Sequence, residues 1–215
     1  MSVVIFWSMT SAPPGLRETK KQQTRQEISD TATRLFIERG FEATTIAEIA
    51  EAARVAKKTV TNYFPRKEDL ALDYHEQFVG ALAAAVTARA ANESALDALR
   101  RRFRTAAQDH AADLGFSGPE FSRMLAGSPT LTARMRELHE LREQALAEVL
   151  PGDDLLRRAA AAQFAAACRL LFERIQQLQL SGASRHHVAA TVTAEAERIF
   201  DLLEPAFGDY GRASR

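Results

Sequence analysis

Lys57, Lys58, Thr61 and Asn62 lie within six residues of one another, and together they carry the chemistry needed to read the edges of base pairs. A lysine ammonium donates to guanine O6 and N7, an asparagine amide makes a paired contact with adenine N6 and N7, and a threonine methyl touches the thymine methyl. The stretch around them, RVAKKTVTNYFPRK at 54–67, holds five positive charges and no negative one, in a chain whose 28 Lys+Arg are balanced by 28 Asp+Glu. Such a local excess in a neutral chain points to an anion. Arg54, Arg66 and Lys67, with the hydroxyls of Thr44, Thr45, Thr59 and Tyr63, suit phosphate contacts, which fix register without specifying sequence.

These groups are useful only on something rigid. At about 100° per residue, Lys57, Lys58, Thr61 and Asn62 share one side of a helix over 57–63, while Val60, Tyr63 and Phe64 take the other. Pro65 stops that helix. Before it, Thr45-Ile46-Ala47-Glu48 has capping-box spacing, and Ile46, Ile49 and Ala50 give a short helix to about Ala53 its apolar face. Only Arg54 to Ala56 remain for the turn. A longer helix from about Thr19 to Arg39 precedes both, with Ile28, Ala32, Leu35 and Phe36 on one stripe and Gly40 at the left-handed position that ends it. Two short helices across a tight turn, backed by a longer one, form a helix-turn-helix. Val60, Tyr63 and Phe64 are expected to pack on Ile28, Phe36, Ile46 and Ile49.

The rest of the chain is built the same way. Its 215 residues are 46% apolar and 26% charged, with only 10 Gly and 7 Pro between long Ala-, Leu-, Glu- and Arg-rich segments. Apolar residues three and four apart predict an all-α protein. Six further helices are expected at about 67–90, 94–113, 119–126, 129–149, 153–180 and 184–204, about nine in all, with breaks at Gly118-Pro119, Ser128-Pro129, Pro151-Gly152 and Ser181-Gly182. The helix-turn-helix then forms a head at 17–66 and the further helices a body at 67–208, between tails at 1–16 and 209–215. Met9 could serve as the start as well as Met1. MSVVIFWSM lacks the basic region and cleavage site of a signal peptide. No apolar run approaches the roughly 20 residues that span a bilayer. The single cysteine, Cys168, reads as a small buried residue and suits a reducing cytoplasm.

Catalytic signatures are missing from the sequence. There is no Gly-rich phosphate loop, HExxH, GxSxG or paired-carboxylate pattern, and the acidic residues recur beside arginine at helical ion-pair spacing. The histidines at 75, 110, 139, 186 and 187 have no zinc-ligand spacing. Neither an enzyme nor a cofactor or metal site is expected.

The run TRQEISDTATRLFIERGFEATTIAEIAEAARVAKKTVTNYFPRKEDL, 47 residues from Thr24 to Leu70, resembles the amino-terminal domain of the TetR/AcrR family of transcriptional regulators. Its most specific pieces are LFIERGFEATTIAEIA and TVTNYFPRKEDL. The resemblance implies a three-helix DNA-binding head on a larger ligand-binding and dimerisation body, usually working as a repressor released by a small molecule. By motif position it puts the phosphate-contacting threonine at Thr44 or Thr45, the recognition helix at Lys57 to Tyr63, the tyrosine of the YF pair at Tyr63 and the lysine opening the fourth helix at Lys67. Two departures stand out: many members have Gly where this chain has Arg54, and Ser or Thr where it has Ala56. SPTLTARMRELHELREQAL is similar to a segment common in actinobacterial members.

A homodimer through the last two helices is expected. AAAAQFAAACRLLF offers small residues for close helix approach, and Val188, Val192, Ile199 and Leu203 form an apolar stripe that either joins a four-helix bundle between subunits or completes the chain's own core. A dimer sets two recognition helices about 34 to 36 Å apart, or a multiple of that, which matches a palindromic operator. Phe103, His110, Phe116, Phe121, Met124, His139 and Phe164 lie on helices that surround the cavity in similar proteins, and are the candidate pocket residues for a small-molecule effector. The alternative is control by a protein partner on the same amphipathic helices.

Overall fold

The computed structural model describes residues 15–212, with the backbone alone at 16–18. Among these residues all regular structure is helical. The head comprises α1 (Leu16–Arg39), α2 (Ile46–Ala52) and α3 (Lys57–Tyr63); there follow α4 (Lys67–Ala71), α5 (His75–Thr87), α6 (Ala95–Gln108), a 3-10 turn (Ala112–Leu114), α7 (Pro119–Gly127), α8 (Pro129–Val149), α9 (Asp154–Leu180) and α10 (Arg185–Phe207). In α2 the capping box is closed in both directions: Thr45 Oγ1 accepts from the Glu48 amide at 3.2 Å, and the Glu48 carboxylate accepts from the Thr45 amide at 2.8 Å. Ile28, Ala32, Phe36, Ile49, Val60 and Phe64 share one buried core, with Ile46 and Tyr63 packed against its edge.

That core does not stop at the head. It runs through Leu70 and Leu72 into Phe78 of α5, Phe121 and Leu125 of α7, and Leu131 and Leu138 of α8. A second core joins α5, α6, α8, α9 and α10. Nonpolar contact therefore ties the head to the middle of the body, by way of α4, α7 and α8.

Two expected helices are shorter than their patterns suggest. The helix expected over 67–90 is broken into α4 and α5, because α1 holds the intervening turn: Arg25 donates to the Asp73 carbonyl at 3.2 Å and the Ser29 hydroxyl to the Asp73 carboxylate. The helix expected over 94–113 ends at Gln108, where His110 takes a left-handed φ of 51° and the Ala111 amide donates back to the Ala106 carbonyl at 2.8 Å. Ten α-helices result among the described residues, where about nine were expected.

Most of the expected tails lies outside the described residues, but Leu16 already belongs to α1 and residues 209–212 are held on the body. The Ala95 amide donates to the Tyr210 carbonyl at 2.9 Å, and Arg89 donates to the Gly211 carbonyl at 3.1 Å. The stripe Val188, Val192, Ile199 and Leu203 completes the chain's own core: Val188 and Val192 are fully buried, and Ile199 and Leu203 are partly buried against the same core. Among the exposed positions on these helices, Ala159, Gln163, Ala166 and Leu170 of α9 and Ala190, Ala194, Arg198 and Leu202 of α10 form two series, each spaced three or four residues apart.

Candidate functional site

The turn between α2 and α3 is a Schellman ending. The Val55 amide donates to the Ala50 carbonyl and the Arg54 amide to the Glu51 carbonyl, both at 3.0 Å, with Arg54 at φ 55°. A left-handed residue here is usually glycine, and a side chain costs about 1 to 2 kcal/mol. The same geometry explains why a glycine fits the position in related sequences. Chain reversal within three residues then sets α3 on the surface, with Arg54, Lys57, Lys58 and Asn62 exposed and Thr59, Thr61 and Tyr63 half-buried.

Arg54, Lys57 and Lys58 have no ion-pair partner among the described residues, whereas the arginines of α6 are bound to carboxylates: Arg100 to Asp201, Arg101 to Glu93, Arg102 to Asp113 and Arg104 to Glu197. Unpaired cations beside an exposed amide and half-buried hydroxyl groups present the electrostatic footprint of a nucleic-acid surface. Thr45 is exposed at the start of α2, beside this face. Thr44, the other candidate for the phosphate-contacting threonine, is fully buried, and its hydroxyl donates to the Gly40 carbonyl at 2.9 Å. It locks the corner between α1 and α2 and has no surface to offer a phosphate. Lys67 is half-buried, its ammonium 4.3 Å from the Phe41 ring centroid and donating to the Glu42 carbonyl at 3.4 Å.

α3 begins without a side-chain cap, since Ala56 holds the extended N-cap conformation (φ −69°, ψ 145°) but has no oxygen to offer. Ala56→Ser should therefore stabilise the protein by about 1 kcal/mol. A rise in the urea midpoint at unchanged slope is the expected reading.

Polar contacts bind both the head and α4 to α8. Arg134 donates to Asp69 of α4 at 2.9 Å, with both side chains at most 10% exposed, and Arg66 meets Glu137 at 3.0 Å on the surface. The Ser128 hydroxyl, which caps α8 by accepting from the Leu131 amide, donates to the Glu42 carboxylate at 2.6 Å. That bond is the main cause holding the Glu42 carboxyl below its usual range.

Further along α8, a cavity of about 710 Å³ opens between α7, α8 and α9, lined by residues that include Leu125, Met135, His139, Phe172 and Gln176. Of the candidate pocket residues only His139 lies in its wall. Phe103, Phe116 and Phe164 are buried in the core of the body, and Phe121 in the core shared with the head. His110 packs against Phe116 at the end of α6, and Met124 lines a different cavity beside Gly40 and Phe41. The residues not anticipated are Met135, Phe172 and Gln176, and behind the wall Phe78 and Arg142. Arg142 had left a trace in the sequence: it continues the stripe Leu131, Met135, Leu138, Leu146 and is its only charged member.

Burial, helped by the positive charges of Arg142 and Arg169, pushes His139 down from 6.5 to about 4. The unfolded chain takes up this proton below about pH 6.5, the folded one only near 4. The stabilisation is complete above 6.5 and is lost as the pH falls toward 4. Between pH 7 and 5 the loss from this group should be about 2 kcal/mol. Urea unfolding of His139→Phe at both pH values should show a correspondingly smaller difference than the parent protein.

Residues 28–74 match the family described as bacterial regulatory proteins, tetR family. The chain is 38% identical over 91 residues to the HTH-type transcriptional regulator TcmR of Streptomyces glaucescens, which is 42% of this chain and 40% of that protein. It is 45% identical over 56 residues to the HTH-type transcriptional regulator AcrR of Shigella flexneri, 25% and 26% of the two chains. The chain thus spans less than half the length of these curated relatives. Over nearly the full length the fold is like that of NalD, the secondary repressor of the MexAB-OprM multidrug efflux pump in Pseudomonas aeruginosa, with TM-score 0.54, 17% identity and coverage of 88% and 98%. It is also like the SmeT–triclosan complex, with TM-score 0.53, 18% identity and coverage of 90% and 98%.

Proposed function

We propose that this chain, whose residues 28–74 match the family of bacterial regulatory proteins, tetR family, is a homodimeric, sequence-specific repressor released from its operator by a small molecule. The observation that carries this reading is the exposed face of α3, which presents unpaired Lys57 and Lys58 together with Asn62. In this account α3 enters the major groove, Asn62 and the lysines read bases, and Arg54, Thr45, Thr59, Tyr63 and Lys67 hold phosphates. Residues 17–66 form the reading head and 67–208 the regulatory body. The exposed stripes of α9 and α10, rich in alanine and ending in Leu170 and Leu202, suit close packing against a second copy. No helix among the described residues is long and apolar enough to cross a membrane, and the protein acts where DNA is, in the cytoplasm.

Release follows from α8, which carries Arg134 against α4, Glu137 against the head and His139 in the cavity wall. A ligand that shifts α8 alters the angle of both heads relative to the half-sites, and a coupling of about 1 to 3 kcal/mol changes DNA affinity about fivefold to 150-fold. SmeT, a protein of the same fold, binds triclosan in its complex, which favours a small molecule over a protein partner as the effector.

The test is fluorescence anisotropy with DNA tiled across the gene's own upstream region, over a salt series. One tile should bind tightly, and Asn62→Ala should weaken it by about 1 to 3 kcal/mol while keeping the salt slope. Equal, steeply salt-dependent binding of every tile, unaffected by the substitution, would sink the reading of α3 as a sequence reader.

A further inference from the structure

Arg142 is 1% exposed and one of the largest side chains buried in the protein. None of its three guanidinium nitrogens has a hydrogen-bond partner among the described residues. Its central carbon lies 4.4 Å from the centroid of the Phe78 ring, a contact that offsets only part of the cost of burying an unpaired cation. The nearby charges do not neutralise it, because Arg102 and Asp113 are paired with each other. Burial raises the Tyr74 hydroxyl well above its ordinary range and pushes the Cys168 thiol up, so both are neutral. The cluster keeps one uncompensated positive charge.

Phe78 in turn meets His139 and Phe172 edge-on, with ring centroids at 5.1 and 5.7 Å, and those two rings line the cavity between α8 and α9. The cation therefore stands one aromatic layer behind the cavity wall. We propose that, with this aromatic layer displaced, Arg142 anchors the carboxylate of an otherwise apolar, monoanionic ligand whose body fills that cavity. A carboxylate matches the guanidinium fork with two parallel hydrogen bonds. A single negative charge cancels the single excess positive one, and a dianion would overshoot it. The apolar remainder suits the part of the wall made of Phe172, Met135 and Leu125, while Arg136, Glu140, Glu143, Arg169 and Glu173 are among the residues that line the rest. This proposal rests on reading the body as an effector-binding domain and names the chemical class of the effector.

The test uses four acids, each with its neutral amide: benzoate, 2-naphthoate, octanoate and laurate. Calorimetric titration and thermal melting are run on the parent protein and on Arg142→Met. At least one acid should bind about tenfold to a hundredfold more tightly than its amide, and Arg142→Met should make the pair equal. Without ligand, the Met variant should melt at or above the parent temperature, since replacing an unpaired buried charge by a hydrophobe of similar volume removes a desolvation cost; its loss of binding is then not loss of fold. No acid preferred over its amide, or a preference that survives in Arg142→Met, overturns the proposal. Anisotropy on the operator separates the two readings. A preferred acid that leaves DNA affinity unchanged upholds the anchor and defeats effector control, while amides that release DNA as well as acids uphold effector control and defeat the anchor.

Discussion

Asp69→Ala should lower the unfolding free energy by about 3 kcal/mol, a large effect for a single carboxylate. The reason is the partner it abandons. Arg134 is almost buried, and its bond to Asp69 joins α4 to α8 at 2.9 Å. Without Asp69 the guanidinium remains in a dry site with one carboxylate fewer. The loss falls at the lower end of the range of about 3 to 5 kcal/mol for a broken buried pair, because Glu137 still approaches Arg134 at 2.8 Å and is itself partly exposed. Urea denaturation measures the cost, and the double variant Asp69→Ala, Arg134→Leu should recover most of it by removing the stranded charge. Recovery of stability is not recovery of coupling. With this tie gone, ligand binding in the body should change DNA affinity less than it does in the parent protein, a comparison the anisotropy assay makes directly. An Asp69→Ala protein as stable as the parent would show that the pair contributes nothing net.

Phe64→Ala should cost about 3 to 5 kcal/mol, through lost apolar transfer and the cavity left behind. Phe64 is 1% exposed, fills the core beneath α3 with Phe36, Ile49 and Val60, and lies under the Arg25 guanidinium at 4.7 Å. The consequence for function is distinctive. Asn62→Ala alters an exposed side chain and should leave the melting curve within about 0.5 kcal/mol of the parent while lowering affinity for one sequence. Phe64→Ala should lower binding to every sequence together with helix content, because the recognition helix loses its support. If Phe64→Ala kept full stability and lost only operator binding, the assignment of inner and outer faces to α3 would be reversed.

The head was open to sequence reading because its signals are local. The spacing of Thr45 and Glu48 sets the start of α2, Pro65 closes α3, and the alternation of Lys57, Lys58 and Asn62 with Val60 and Phe64 distinguishes its two faces. The bounds of α3 agree to the residue with that pattern. Even here Thr44 and Thr45 could not be told apart, since both are hydroxyls at one corner and only the packing of α1 on α2 buries the first.

In the body the sequence determined that there would be helices, and approximately where, because apolar residues recur at three and four and Gly-Pro pairs mark several ends. It did not determine the ends at Asp73 and His110. Neither position has a glycine or proline, and the chain turns there through bonds from α1 or through a left-handed residue that the rest of the fold supports. Tertiary structure also decided which face of each helix is inside. Val188 and Val192 form a stripe fit for either a partner or a core, and the choice depends on what α6 and α9 present to them. Arg142 shows the limit most clearly: one letter in an apolar stripe indicates a buried charge, but only the surrounding helices determine that no carboxylate comes to meet it.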